Sequence, residues 1–122
     1  MIHLSRREFV RLVRQAYKQV PPPIQQALRN VDVAVEEWPD HDELGQGWDG
    51  STLFGLYTGV PLPEREGGEP LLPDRITIYR QPILRSCSTR GEAVREIQTT
   101  LLHEVGHYLG MGEEDLHRLG YG

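Results

Sequence analysis

Two histidines near the carboxyl end of the sequence constrain its structure more than any other feature. His103 and His107 lie four residues apart, and Glu104 directly follows the first. Residues at this spacing in an α-helix lie on one face, about one turn apart. Two imidazole rings so placed can both reach one zinc ion, at about 2.0–2.1 Å. We therefore expect a helix with a zinc site here, in which Glu104 lies beside the metal as a general base.

The residues around the histidine pair have the pattern of an amphipathic helix. Thr89 and Glu92 have the spacing of a capping box, and Gly110 suits a left-handed helix end. Together they predict a helix over about residues 91–109. Its apolar stripe is expected to contain Val94, Ile97, Leu101, Val105 and Tyr108. Both histidines point away from this stripe, which predicts that they face a cleft or solvent and not the core.

Acidic residues follow Gly110 and supply candidates for a third metal ligand. Glu113 comes six residues after His107, and a turn at Gly110 would bring the chain back toward the metal. A third oxygen ligand would leave the fourth position for water, as a catalytic zinc site requires. Glu114 and Asp115 are alternatives for the same role. A solvated histidine pair without metal is the competing interpretation, but the helix, the outward face, Gly110 and the following acid favour a metal site.

The rest of the chain predicts an α+β fold. Ser5 and Glu8 form another capping box, and apolar residues at helical spacing extend a helix over about residues 5–19, until three prolines end it. A short helix is expected at 24–29, strands at 31–36, 53–57 and 75–79, and a further short helix at 81–87. Polar loops rich in glycine and proline separate them at about 39–50 and 59–73. We expect one domain over residues 1–122, with a three- to four-stranded sheet, an N-terminal helix and a C-terminal active-site helix.

Composition excludes several classes of protein. The net charge of −5 argues against nucleic-acid binding, which needs a basic surface. No apolar run approaches the roughly 20 residues that span a bilayer, so no membrane association is expected. The N-terminal residues lack the apolar segment of a signal peptide, and Cys87 is the one cysteine. These features favour a cytoplasmic protein, and we expect a monomer or weak homo-oligomer.

Three segments together resemble the small bacterial zincin-like metallopeptidase family. They are GLYTGVPL at 55–62, LPDRITIYR at 72–80 and HEVGHYLG at 103–110, and the resemblance covers most of the chain. The last segment is shared by many zincins, whereas the other two make the assignment specific. The resemblance implies a minimal zincin fold with Zn²⁺ as cofactor. It also places the third ligand, usually acidic in this family, at Glu113.

The resulting hypothesis is a zinc-dependent peptidase that acts on a peptide or protein substrate. His103, His107 and Glu113 would hold zinc, and Glu104 would be catalytic, taking a proton from water and passing it to the leaving amine. A substrate strand would pair with the sheet edge nearest the helix. One alternative is a metal-binding interaction module without catalytic activity. Another is a regulator that acts on one dedicated cytoplasmic partner.

Other residues with functional chemistry are expected to have structural roles. His3, His41 and His117 are predicted to be surface histidines rather than ligands. Packing is the expected role of Tyr57, Tyr79 and Tyr121, although each could stabilise an oxyanion if it reached the metal. Cys87 has no histidine or acid pattern nearby and is expected to be a small buried residue.

Overall fold

The computed structural model describes residues 1–40, 53–59 and 74–112, together with residues 114 and 118. Helices flank a small mixed sheet, which confirms the predicted α+β fold. In chain order the elements are α1 (Arg6–Lys18), α2 (Pro22–Ala27), β1 (Val31–Glu36), β2 (Gly55–Thr58), β3 (Asp74–Tyr79), α3 (Arg80–Ser86) and α4 (Arg90–Tyr108). The predicted loops lie largely outside the described residues. None of the described helices is long and apolar enough to cross a membrane.

Helix α1 begins as its sequence predicts, but the carboxylate of Glu8, the second residue of the predicted capping box, bonds to two arginines. The Ser5 hydroxyl accepts a hydrogen bond from the Glu8 backbone N–H at 3.1 Å. The Glu8 carboxylate accepts hydrogen bonds from Arg11 and from Arg90 at the start of α4. Glu8 therefore links the starts of two helices. Helix α2 begins at Pro22, slightly earlier than predicted, because proline suits the first helical turn.

The sheet contains three strands in the order β1-β3-β2 in the part of the chain that the structure describes. β1 pairs with β3 in parallel, and β2 pairs with β3 in antiparallel orientation. β2 begins at Gly55, two residues later than predicted. Phe54 lies just before it, but its carbonyl still accepts a hydrogen bond from the Tyr79 N–H at 2.8 Å. β1 and β2 are therefore the two edges of the described sheet.

The core lies between the sheet and helices α1 and α4. Phe9 of α1, Ile76 and Ile78 of β3, and Ile97 of α4 are all fully buried. Burying each such side chain contributes about 1.5–3 kcal/mol. The isoleucines of β3 lie on one face and Thr77 and Tyr79 on the other, as predicted. Residues on both faces are buried, which is typical of a central strand.

Helix α4 has a wider covered face than its apolar stripe predicts. Ile97, Leu101, Val105 and Tyr108 are buried as expected, but Val94 is only half-buried. A second row, Ala93, Thr100 and Glu104, is buried as well. This row lies next to the stripe, because residues seven and eleven positions apart share a helix face. The second row contacts the sheet at Gly55, where β2 approaches the helix.

Candidate metal centre

The two histidines lie side by side on the last two turns of α4. Their Nε2 atoms are 3.1 Å apart, and their ring planes are inclined at 71° with centroids 4.7 Å apart. Both side chains are half-buried, at the margin of the core. The helical spacing therefore brings one nitrogen of each ring to the same point, and both histidines are less buried than the residues of the apolar stripe from Ile97 to Tyr108.

This geometry fits a zinc ion. Two nitrogens bound to one tetrahedral zinc are separated by roughly 3.3 Å, because each bond is about 2.0–2.1 Å long. The observed separation of 3.1 Å is close to that value. One ligand atom each from His103, Glu104 and His107 can be chosen so that all lie within 4.8 Å of one another. Two imidazoles beside a carboxylate form a donor set that suits zinc.

Glu104 is buried although it carries a carboxyl group, with 7% of its surface exposed. It lies where β2 packs on α4. A Cβ atom placed on Gly55 would be 3.3 Å from Glu104 Cγ, 3.2 Å from the Thr77 carbonyl oxygen and 2.6 Å from Thr100 Cγ2. Only a residue without a side chain permits this approach. Gly55 therefore lets the edge strand confine the Glu104 side chain next to the histidine pair.

The role of Gly55 could not be deduced from local sequence patterns. The available signal was a glycine within a predicted strand, which often marks a close approach of two backbones. That signal does not identify the approaching residue. The partner, Glu104, is 49 positions away in the sequence, and only the docking of β2 on α4 brings the two together.

The end of α4 turns the chain as predicted. Gly110 has a left-handed backbone with φ of 83°. The Gly110 N–H donates to the His107 carbonyl at 3.0 Å, and the Met111 N–H donates to the Gly106 carbonyl at 2.9 Å. These two bonds form a Schellman motif, which glycine favours because it has no Cβ. The helix therefore ends immediately beyond the histidine pair.

The third ligand stays a prediction. Glu113 and Asp115 lie outside the described residues, whereas Glu114 is described and exposed. Three other residues named from the sequence also lie outside the described residues, namely His41, His117 and Tyr121.

A tyrosine pair and a buried aspartate lie at the same end of α4. The Tyr57 hydroxyl donates to Asp74 Oδ2 at 2.7 Å, and Asp74 is 4% exposed. The Tyr57 ring contacts Tyr108 edge to face, with centroids 5.7 Å apart. The Tyr108 hydroxyl donates to the Ala27 carbonyl at 3.0 Å. Gly59 has a φ of 144°, and a side chain there would overlap the Asp74 carboxylate. The sequence predicts a packing role for Tyr57 and indicates no role for Asp74.

The remaining described candidates lie in ordinary environments. His3 is exposed near the N-terminus. Tyr79 is fully buried, consistent with packing. Cys87 is a buried free cysteine, as predicted, and burial raises the pKa of its thiol.

Comparison with known proteins identifies the family of this chain. The sequence model of the family described as zincin-like metallopeptidase matches residues 28–122, a range that includes β1 to β3 and all of α4. A conserved hypothetical protein from Thermo thermophilus has a similar solved structure, with a TM-score of 0.61 and 28% sequence identity. The match covers 87% of this chain and 94% of that one. No curated protein sequence gave a significant match. Zincins bind a metal ion, typically zinc. The chain belongs to the zincin-like metallopeptidase family.

Proposed function

We propose that the protein is a zinc-dependent metallopeptidase that hydrolyses peptide bonds. One observation carries the proposal: the Nε2 atoms of His103 and His107 are 3.1 Å apart, next to the buried carboxylate of Glu104. His103, His107 and Glu113 would hold the metal. When bound, zinc would polarise the scissile carbonyl and lower the pKa of a coordinated water.

Glu104 is the residue that would move protons. Its carboxylate would accept a proton from the attacking water and then donate it to the leaving amine. Proton transfer by a positioned side chain typically accelerates a reaction about 10²–10⁴-fold, provided that the group is held within hydrogen-bonding reach. The contacts around Gly55 restrict the conformations of the Glu104 side chain, which supports this role.

The substrate would bind as an extended peptide along β2. Within the described sheet, β2 is an edge strand, and it is also the strand that contacts α4 at Glu104. An extended peptide can add to an exposed sheet edge through backbone hydrogen bonds. Such pairing would carry the scissile bond past the carboxylate of Glu104.

Cleavage of a mixed library of peptides by the zinc-loaded protein tests this function. Glu104→Gln is expected to retain zinc and to lose at least about 10²-fold in turnover, because glutamine cannot accept the proton. Glu96→Gln is the matched control, since it changes the same residue type two turns earlier on α4. Equal rates for wild type and Glu104→Gln would contradict the proposal. Wild-type protein that binds zinc but cleaves no peptide or protein would favour the non-catalytic interaction module.

A further inference from the structure

The other edge of the sheet, formed by β1, lies beside a groove that α1 completes. The groove has a volume of about 680 Å³. Its apolar lining comes from α1 and β1, chiefly Val10, Val13, Val33 and Val35. Because β3 separates β1 from β2, this groove lies at the opposite edge of the sheet from the one that contacts Glu104.

Hydrogen bonding in the sheet shows which backbone groups of β1 point toward the groove. The Tyr79 N–H donates to the Phe54 carbonyl, so the backbone groups of Tyr79 point toward β2. The backbone N–H and C=O groups of successive residues point alternately to the two sides of a strand. Those of Asp74, Ile76 and Ile78 in β3 therefore point toward β1. In the parallel register of β1 and β3, the backbone groups of these three residues bond to the backbone groups of Asp32, Ala34 and Glu36 in β1.

The intervening residues Val31, Val33 and Val35 direct their backbone groups away from the sheet. Two contacts agree with this direction. The Arg6 guanidinium donates to the Val35 carbonyl at 2.7 Å, and the Val31 N–H donates to the Leu28 carbonyl at 2.9 Å. Among the described residues, no other element bonds to the backbone of Val33. The centre of the β1 edge therefore presents a donor and an acceptor to the groove, which is the arrangement that an added strand needs.

The rim of the groove is basic although the chain as a whole has a net charge of −5. Arg14 and Lys18 lie one turn apart on α1, and both are exposed. Neither forms an ion pair with any carboxylate that the structure describes. Arg6 and Arg75, the other cations of the groove, each contact a glutamate. Among the residues that the structure describes, Asp32 is the one acidic residue that lines the groove. Two cations are therefore available to an acidic ligand.

We propose that this groove binds an extended acidic peptide segment of a partner protein, which adds a strand to β1. The peptide backbone would pair with Val33, and its apolar side chains would pack on the valines of the floor. Its carboxylates would contact Arg14 and Lys18. In strand addition, backbone hydrogen bonds supply affinity and side-chain contacts supply specificity. Complementary charge adds to that specificity.

A second copy of the chain fits the groove less well. Antiparallel pairing of two β1 edges about a two-fold axis would place both α1 helices on the same face of the joined sheet. Arg14 and Lys18 of one copy would then face the same residues of the other. Like charges facing each other across an interface oppose association.

Fluorescence anisotropy with a synthetic probe tests the proposal on the full chain. The probe is a labelled peptide of about ten residues, a long strand, in which every second residue is threonine and the residues between are valine and glutamate in turn, so that valine and glutamate share one face. Wild type is expected to bind it saturably. The double variant Arg14→Glu/Lys18→Glu is expected to bind at least about tenfold more weakly, because two attractions become repulsions. The matched control is Arg7→Glu/Arg29→Glu, which changes net charge equally at exposed residues outside the groove and is expected to bind within about twofold of wild type.

Two further probes separate strand pairing from simple charge attraction. The same peptide with N-methyl groups on alternate residues keeps its charge but loses backbone donors, and it is expected to bind at least about tenfold more weakly. The same peptide with lysine in place of each glutamate is expected not to bind. The proposal is overturned if the N-methylated peptide binds equally well, if both double variants lose affinity equally, or if wild type shows no saturable binding. A different result would identify a second copy as the occupant instead. The peptide would fail to bind, wild type would be a dimer in sedimentation analysis, and Arg14→Glu/Lys18→Glu would leave that dimer intact or strengthen it.

Discussion

The backbone of Gly55 packs against the side chain of Glu104. A Cβ atom on Gly55 would lie 3.3 Å from Glu104 Cγ, and it would lie only 2.6 Å from Thr100 Cγ2. The edge strand β2 and the helix that carries the histidine pair are therefore in direct contact at the proposed general base. Any side chain at Gly55 must move β2, Thr100 or Glu104, and each of these movements would alter the site.

Gly55→Ala is expected to destabilise the protein. The new methyl group would overlap Thr100, whose short branched side chain has little freedom in a helix. Overpacking of this kind costs about 1–3 kcal/mol. Urea unfolding measures the change, and peptide cleavage is expected to fall with it because Glu104 shifts.

Gly91→Ala is the control for that substitution. A Cβ at Gly91 would have its nearest neighbour, an Arg95 nitrogen, at 3.5 Å, which is ordinary contact. Since alanine has a higher helix propensity, Gly91→Ala is expected to leave stability unchanged or raise it by up to about 1 kcal/mol. Similar losses of stability at Gly55 and Gly91 would show that the contact with α4 is not the cause.

The third ligand is tested by replacing each candidate acid separately. Glu113→Gln is expected to weaken zinc binding at least about 100-fold. Removing a direct ligand should lower the affinity more than removing a residue that only hydrogen-bonds to a ligand. Glu114→Gln and Asp115→Asn are expected to bind zinc within a few-fold of wild type. Competition with a chelating dye measures the three affinities. A larger loss in either of the last two variants would assign the ligand to that residue.

Tyr57→Phe is expected to destabilise the protein by about 1–3 kcal/mol. The variant removes the hydroxyl that donates to Asp74 Oδ2 at 2.7 Å, and Asp74 is buried. Tyr17→Phe is the matched control, because the Tyr17 hydroxyl donates to no residue that the structure describes, and a change within about 0.5 kcal/mol is expected. Thermal and urea unfolding compare the two. Equal stability of the two variants would show that the bond to Asp74 contributes nothing.

Stability is expected to depend on pH through Glu37. Hydrogen bonds from Gln81, and then from Arg80 and Arg6, hold the pKa of Glu37 below its ordinary value of 4.5. A carboxyl group with a lowered pKa stabilises the fold above its ordinary pKa, and this contribution is lost as pH falls through the lowered value. The stability difference between wild type and Glu37→Gln should therefore be constant above about pH 5 and shrink below the ordinary pKa. Urea unfolding across this range provides the measurement, and a difference that grows in acid would contradict it.

The sequence predicts the parts of this protein that depend on local patterns. Ser5 and Thr89 begin their helices, and Gly110 ends α4 with a left-handed turn. The spacing of His103 and His107 is itself local, because one helical turn determines their separation. These features follow from propensities and spacings within a few residues, which is why they could be predicted.

Contacts between distant segments were not predictable in the same way. The burial of Glu104 depends on Gly55, and the hydroxyl that reaches Asp74 comes from a different strand. Helical periodicity identified the apolar stripe of α4. It could not show that the second row of the helix, Ala93, Thr100 and Glu104, packs against β2. Such pairings depend on how the sheet docks on the helix, which a single sequence does not specify.

Metal binding by purified protein tests the central claim most directly. Wild type supplied with zinc and then dialysed is expected to retain about one zinc per chain. His103→Ala and His107→Ala are expected to retain almost none, while Glu104→Gln and the exposed-site control His3→Ala retain as much as wild type. Elemental analysis of the five proteins, each checked for folding by circular dichroism, gives the answer. Folded wild-type protein that takes up no zinc, or that keeps it after loss of His103, would contradict the assignment of this metal centre.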